Sequence, residues 1–387
     1  MLLAKVKNLF YAYAFLNAFI LIYPLYAVMF VDNGLNAAQI SALFIVWSAT
    51  AFILEVPSGA IADKFPRKYV LIVATLFQAA AFTCWLARLD FWGFLAGFLL
   101  WGINSALSSG TEEALIYDEL KRAGAEKQYT KVTGRVEMFD LVGTICAGFG
   151  AAALATSGYT PLLLLSIIGV LASTTALAFL PMAKAVETTG ETKYWSYLSE
   201  GVRLALRTRK VLFLLVFMGI VTGLGAVDEY YDLLFNEQGM SNGLIALWMG
   251  IVFSFGAVGS LLAHRLEGKQ LPLTTGIVVW AALLLLAALL PPPFSPIAIG
   301  LYVSLFYVVK VLFNSYLQHE LTDRNRATMT SVGGLLSEIG ALVSFGVFAV
   351  VAGAHNYALA FQVMAIVIAV VGVLYGALHR RYGVQAS

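Results

Sequence analysis

Polar residues interrupt this chain so seldom and so regularly that it can fold only within a bilayer. Apolar runs of about 20 residues, enough for a helix to cross roughly 30 Å of hydrocarbon, fall at roughly 9–31, 38–62, 69–87, 92–117, 132–156 and 160–181. Six more fall at roughly 211–235, 243–266, 271–290, 296–319, 328–352 and 356–379. Composition agrees, since 60% hydrophobic and 12% charged residues, with mean hydropathy +0.84, lie far outside the soluble range. Connections between the runs are short except at residues 182–210, which hold most of the contiguous polar sequence. The chain therefore divides into an N-terminal bundle (1–181), a cytoplasmic linker (182–210) and a C-terminal bundle (211–387).

Charge placement sets the expected topology. With the N-terminus inside, every lysine and arginine except Arg88 and Lys310 falls in a cytoplasmic loop, tail or linker, as the positive-inside rule requires. Both termini are thus expected on the cytoplasmic face of the inner membrane. Lys5 and Lys7 precede a long apolar run with no small-residue cleavage site, so the first run reads as a retained span and not a removed signal peptide. In the linker, Trp195, Leu198, Val202 and Ala205 recur at helical spacing with Arg203, Arg207 and Arg209 offset from them, the pattern of a short helix on the inner membrane face. Cys84 and Cys146 both lie inside apolar runs and read as buried small hydrophobes.

The two halves look like copies. Trp47 and Trp248, Gly59 and Gly259, Glu119-Leu120 and Glu320-Leu321, and Glu137 and Glu338 recur at offsets of 200 or 201 residues. Duplication of a six-span unit accounts for that spacing, and the expected fold is all-α, with twelve transmembrane helices in two pseudo-symmetric six-helix bundles.

Residues 59–68, GAIADKFPRK, stand out between the second and third runs. Small residues, an acid and three cations in so short a stretch make a tight cytoplasmic turn. The stretch resembles the loop motif of the major facilitator superfamily, G-x-x-x-D-(R/K)-x-G-(R/K)-(R/K). Gly59, Asp63, Lys64, Arg67 and Lys68 are in register, and Pro66 stands where the family has a second glycine. The resemblance covers essentially the whole chain and implies a secondary transporter working by alternating access between two parallel six-helix halves. It also implies a cytoplasmic gate. In the family the motif acid caps the start of a helix in the other half, here residues 327–331, where free N–H groups favour an anion. The motif arginine pairs with an acid ending the fourth span, here Asp118 or its neighbour Glu119. Glu55, Gly59 and Asp63 are spaced by four and share a helix face, so Glu55 joins the gate set. The second-half copy has Ala263 in place of Asp63, which makes the lock asymmetric.

No phosphate-binding loop, nucleophile motif, metal-spaced cluster or basic stripe for nucleic acid is present in the sequence. What remains is ionisable residues inside spans, each costing roughly 2.5–3.5 kcal/mol at a helix centre. The fourth run places Ser105, Ser109, Glu113 and Tyr117 on one strip and Asn104, Ser108 and Glu112 on the next. Arg135, on the antiparallel fifth run, reaches the depth of Glu113 and is expected to pair with Glu113 or Asp118. Glu112 is then the acid left over and the leading proton carrier. Glu137 and Asp140 follow on one face of the fifth run.

In the second half, matched depths predict a Lys310–Glu338 contact. Gly219, Gly223 and Gly225 loosen the seventh run just before Asp228 and Glu229, with Asp232 at the outer rim. The first run has Pro24 between Tyr23 and Tyr26 at the equivalent place, and helices broken in corresponding positions point to a transporter's binding site. The candidate proton-coupling residues are thus Glu112, Glu113, Asp228 and Glu229. The candidate cavity residues are Asn17, Tyr23, Tyr26, Glu137, Asp140, Lys310 and Glu338. The gate set is Glu55, Gly59, Asp63, Arg67, Asp118 and Arg135.

An interior so rich in acids favours protons and cationic or neutral solutes. The leading reading is a monomeric transporter of a small organic solute, cationic or amphiphilic, exported in exchange for protons. It has the bilayer as its surroundings, no nucleic-acid partner, and no cofactor beyond the proton gradient. The fifth run, GTICAGFGAAALA, keeps the small residues of the family's exporter motif but lacks its proline. The alternatives are a proton-coupled symporter taking up a small metabolite, and a non-transporting sensor or scaffold on the same fold. An enzyme is the least supported class.

Overall fold

A computed structural model describes residues 2–181, 209–266, 273–321 and 326–382. The proposed linker helix lies outside them. The described residues are helical with short turns and contain no strand. Among the described residues eleven helices are long and apolar enough to cross a membrane, and Leu273–Leu289, a shorter apolar helix of 17 residues, supplies the ninth of twelve spans. Side chains such as Ile53, Leu261 and Val350, 67%, 68% and 71% exposed, would be aggregation sites in water. On a membrane protein they are the lipid-facing surface.

The chain forms two compact units, Met1–Gly190 with Ser241–Gly250, and Glu191–Met240 with Ile251–Ser387. Each packs its spans in the same way. In the first unit, the helix opening span 1 (Leu2–Ala18) packs on span 5 (Tyr129–Leu154), and span 3 (Arg67–Ala87) packs on spans 4 and 6. In the second, the helix opening span 7 (Arg209–Leu224) packs on span 11 (Arg326–Ala354), and span 9 packs on spans 10 and 12. The shared pairing is the structural form of the sequence repeat. Lipid is as apolar as leucine, so close backbone approach has to hold helices together. A Cβ at Gly143 would run into the Phe15 carbonyl of span 1, and one at Gly223 would lie 2.6 Å from Cα of Gly340 in span 11. The small residues of the fifth span therefore serve packing.

Three spans that read as continuous runs are broken. Span 1 stops at Ala18, turns through residues 19–22, and resumes as a 3-10 turn at Tyr23–Leu25 and a helix at Tyr26–Asp32. Pro24 sits in the first turn of the restart, where its missing N–H costs least. Ser166 Oγ accepts a 3.0 Å bond from the Ile22 N–H freed by the break. Span 7 passes through a 3-10 segment, Gly225–Tyr230, before Tyr231–Glu237. Span 4 ends at Ser108 and restarts at Thr111, with Gly110 left-handed at φ 67° between them. The N-terminus of span 4 is capped by Asp90, which accepts from Gly93 N at 3.0 Å and from Arg88 Nε at 2.6 Å. The backbone bond first, and Arg88 second, hold the Asp90 carboxyl below the usual range.

Candidate functional site

The turn at residues 59–68 is built by the end of the helix Ala37–Lys64, an extended Phe65, and Pro66 capping Arg67–Ala87. Arg67 Nη1 lies 2.5 Å from Asp118 Oδ2, which joins the start of span 3 to the end of span 4. Lys68 Nζ donates to the carbonyls of Ala178 and Leu180 at 2.7 and 2.6 Å, at the C-terminus of span 6, where a cation is favoured. Glu119 pairs with Arg122 at 2.5 Å. Glu55 Oε1 accepts from Ser109 Oγ at 3.2 Å, at the span 4 break. Gly59 faces open space, with nothing within 4 Å of an added Cβ. The side chain of Asp63 and those of residues 326–328 lie outside the described residues. Arg135, expected to pair with Glu113 or Asp118, is exposed, and Asp118 is paired with Arg67. Arg67 and Asp118 are 28% and 24% exposed, so Arg67→Gln and Asp118→Asn should each cost about 1 kcal/mol. The double variant should cost little more than either single one, as a double-mutant cycle of unfolding midpoints would measure.

The break at Ser109–Gly110 changes what the acids of span 4 do. Glu112 and Glu113 stand in the first turn of Thr111–Arg122, where free N–H groups point toward negative charge. The strips drawn along an unbroken helix do not continue across Gly110. Glu113 is exposed and Glu112 half-buried. Tyr13 Oη, on a side chain only 2% exposed, donates to Glu112 Oε2 at 3.3 Å. Glu113, Asp140 and Glu137 are near enough for their charges to act on Glu112. Tyr13 was missed in the sequence because nothing in a run of aromatics singles it out.

A cavity of about 180 Å³ opens where span 1 breaks. Asn17, Tyr23 and Pro24 of span 1, Gln78 of span 3, and Asp140 and Thr144 of span 5 line it. Asn17 Oδ1 accepts from Ser173 Oγ at 3.4 Å. Gln78 is 4% exposed, and its Oε1 has no hydrogen-bond partner among the described residues. Three expected cavity residues, Asn17, Tyr23 and Asp140, are therefore brought together, and Gln78 joins them unforeseen. Tyr26 does not line the cavity. It is 4% exposed, with its ring among Phe30, Phe44, Trp85, Phe98 and Trp101. Glu137 is exposed one turn from Asp140.

In the second unit, Asp228 is exposed and Glu229 half-buried, both within the 3-10 segment of span 7. Lys310 Nζ sits 5.8 Å from the Phe306 ring centre and 5.9 Å from that of Tyr307. Asp228 is near enough for its charge to act on Lys310. Gly219 and Gly223 do not loosen the helix as expected; they admit Leu336, Ser337 and Gly340 of span 11, and only Gly225 lies in the break. Asp232 is 3% exposed, not on an open rim, and its Oδ1 accepts the Leu233 N–H at 2.8 Å.

Comparison with known proteins agrees with this architecture. The sequence profile of the Major Facilitator Superfamily matches residues 9–345. The chain is 21% identical over 386 residues to the uncharacterized MFS-type transporter YxaM of Bacillus subtilis (strain 168), covering 95% of this chain and 94% of that one. Among solved structures, the nucleoside transporter NupG superposes with a TM-score of 0.75 at 16% identity, covering 97% of this chain and 98% of that one. A D-xylose-proton symporter superposes with a TM-score of 0.74 at 14% identity, covering 96% and 97%. Paired six-span units, broken first and seventh spans and the turn at residues 59–68 thus meet a profile spanning most of the chain, and the protein belongs to the major facilitator superfamily.

Proposed function

We propose that this chain exports a small cationic or amphiphilic organic solute across the inner membrane, as a monomer, in exchange for protons. The observation that supports this most is Glu112. It lies at a helix break inside a span, is held by Tyr13, and has acids for electrostatic neighbours. An intramembrane carboxyl with no cation assigned to it is suited to loading and unloading a proton as access alternates. Asp140, in the lining of the span 1 cavity, and Asp228 in the span 7 break, with Lys310 near enough to feel its charge, are the second places where charge meets a broken helix. The turn at residues 59–68 acts as the cytoplasmic gate, with Arg67–Asp118 as its described link and both chain termini on the same side.

The test uses proteoliposomes loaded with a pH-sensitive dye and challenged with hydrophobic amines and quaternary ammonium compounds. Proton movement driven by at least one of these cations, and absent from protein-free liposomes, is the expected result. The second reading is proton-coupled uptake of a small neutral metabolite, which the likeness to the xylose–proton symporter favours. Proton movement with sugars or nucleosides but with no cation would replace export by that reading. Exchange of Asp63 for Asn should shift cysteine-accessibility labelling toward the inward-open form, and unchanged labelling would remove the gate.

A further inference from the structure

Lys310 is a mid-span cation for which proton exchange alone has no use. It lies ten residues before Glu320 in the helix Phe294–Glu320, about 15 Å in from that end at 1.5 Å per residue. Lysines that reach back to the interface sit nearer the helix ends than this. Its side chain is exposed, as is that of Asp228 in the span 7 break, and the charge of Asp228 acts on it. Two opposite charges with open surface at this depth belong beside water and not beside lipid. Yet among the described residues Lys310 makes no ion pair and no hydrogen bond. A lysine kept only to neutralise Asp228 would close on it. The wall beside the ammonium is built with care. Its Nζ is 5.8 Å from the Phe306 ring centre and 5.9 Å from that of Tyr307. Phe306 is seated on Gly225 in the span 7 break, where a Cβ would come within 2.6 Å of the ring, and it stacks on the buried Trp280 at 5.6 Å. Tyr307 is seated on Gly256 of the helix Asn242–Leu266, where a Cβ would come within 2.9 Å. Two glycines thus let both rings close in and fix the position of the cation.

We infer that Lys310 and Asp228 form a subsite for a small zwitterion of the amino-acid class, its carboxylate bound by Lys310 Nζ and its ammonium by Asp228. The inference rests on the proposal that the solute carries a cationic group, and it adds an acid group to that solute. The rings of Phe306 and Tyr307 steady the lysine through their π faces but leave its N–H donors to be used. A solute that is only a cation meets Lys310 as a like charge, and one that is only an anion meets Asp228 as a like charge. A zwitterion answers both and makes a charge-assisted hydrogen bond at each end. Its two groups need only bridge opposite charges that already act on each other. Selectivity then comes from repulsion as much as attraction, since either incomplete analogue leaves one protein charge facing its own sign.

Phenylalanine, phenethylamine and 3-phenylpropionate share one body and differ in the charged groups they carry. Titrated by calorimetry into the full-length protein in nanodiscs, they test the subsite. Wild-type protein should bind phenylalanine at least about tenfold more tightly than either of the others, the lower end for a hydrogen bond to a charged group. Lys310→Met, which keeps an unbranched chain and drops the charge, should bring phenylalanine within about twofold of phenethylamine once the charged donor is gone. Asp228→Asn should bring phenylalanine within about twofold of 3-phenylpropionate for the matching reason, which keeps the test open if Lys310→Met does not fold. No preference for phenylalanine in the wild type would overturn the subsite. So would a preference over phenethylamine that survives Lys310→Met, a preference over 3-phenylpropionate that survives Asp228→Asn, or no binding of any probe. The readout is equilibrium binding, so proton movement is judged separately. Selective binding without proton movement would remove only the exchange, and proton movement driven by amines with no preference for phenylalanine would remove only the subsite.

Discussion

Glu112→Gln should uncouple the transporter. Glutamine keeps the shape and can still accept from Tyr13 Oη, which lies 3.3 Å from the native carboxylate, but it cannot take up or release a proton. Net solute movement driven by a pH gradient in proteoliposomes should fall by about 5- to 150-fold, the range of a 1–3 kcal/mol coupling free energy. Counterflow of labelled solute, which needs binding and alternation but no net proton movement, should persist. Glu113→Gln is the internal control: its side chain is exposed, and its loss should change flux little. Tyr13→Phe should have a smaller effect, since one hydrogen bond is worth about 1 kcal/mol. Gradient-driven flux that survives Glu112→Gln would move the coupling site elsewhere, with Asp228 next in line.

Gly223→Leu should destabilise the second unit more than Arg67→Gln or Asp118→Asn destabilises the first. The added Cβ alone would come within 2.6 Å of Gly340 Cα and would press on the Ser337 carbonyl, both of them backbone that cannot swing away. Ser344 Oγ also bonds the Gly223 carbonyl at 3.3 Å across the same contact. Overpacking of this kind costs about 1–3 kcal/mol and sometimes more, and leucine adds three carbons beyond the Cβ. A sharp fall in thermal midpoint is expected, with loss of monodisperse protein in detergent. Gly59→Ala makes the contrast. Its Cβ would meet nothing within 4 Å, so alanine in the helix interior should stabilise by about 0.5–1 kcal/mol. Equal melting behaviour of the two variants would contradict the close packing of spans 7 and 11.

The sequence resolved the fold well because membrane insertion is a one-dimensional criterion. Each span has to be apolar over its own length, and every span read from the sequence has a counterpart among the described helices. The breaks in spans 1 and 7 were foreshadowed by Pro24 and Gly225, residues whose backbone preferences act locally. The break in span 4 was also written locally, as Ser-Ser-Gly-Thr-Glu-Glu at residues 108–113, a helix-start pattern. The apolar run on either side masked it. Pairings were harder. Asp118 with Arg67 followed from the motif, whereas the alternative of Asp118 with Arg135 came from counting depth along helices, which fixes height but not which side chain reaches the acid.

By itself, then, the chain determined its twelve spans, its internal repeat and the turn at residues 59–68, because hydropathy, charge and backbone propensity act over a few neighbouring residues. The tertiary structure alone decided that Tyr13, 99 positions away, holds Glu112 and that Gln78 lines the cavity at the span 1 break. Which helix faces meet is set by where glycines let backbones approach, and residues so far apart share no local signal. In span 3, Gln78 reads as a polar residue on an oily helix, and packing against a broken neighbour places it in the wall of a cavity.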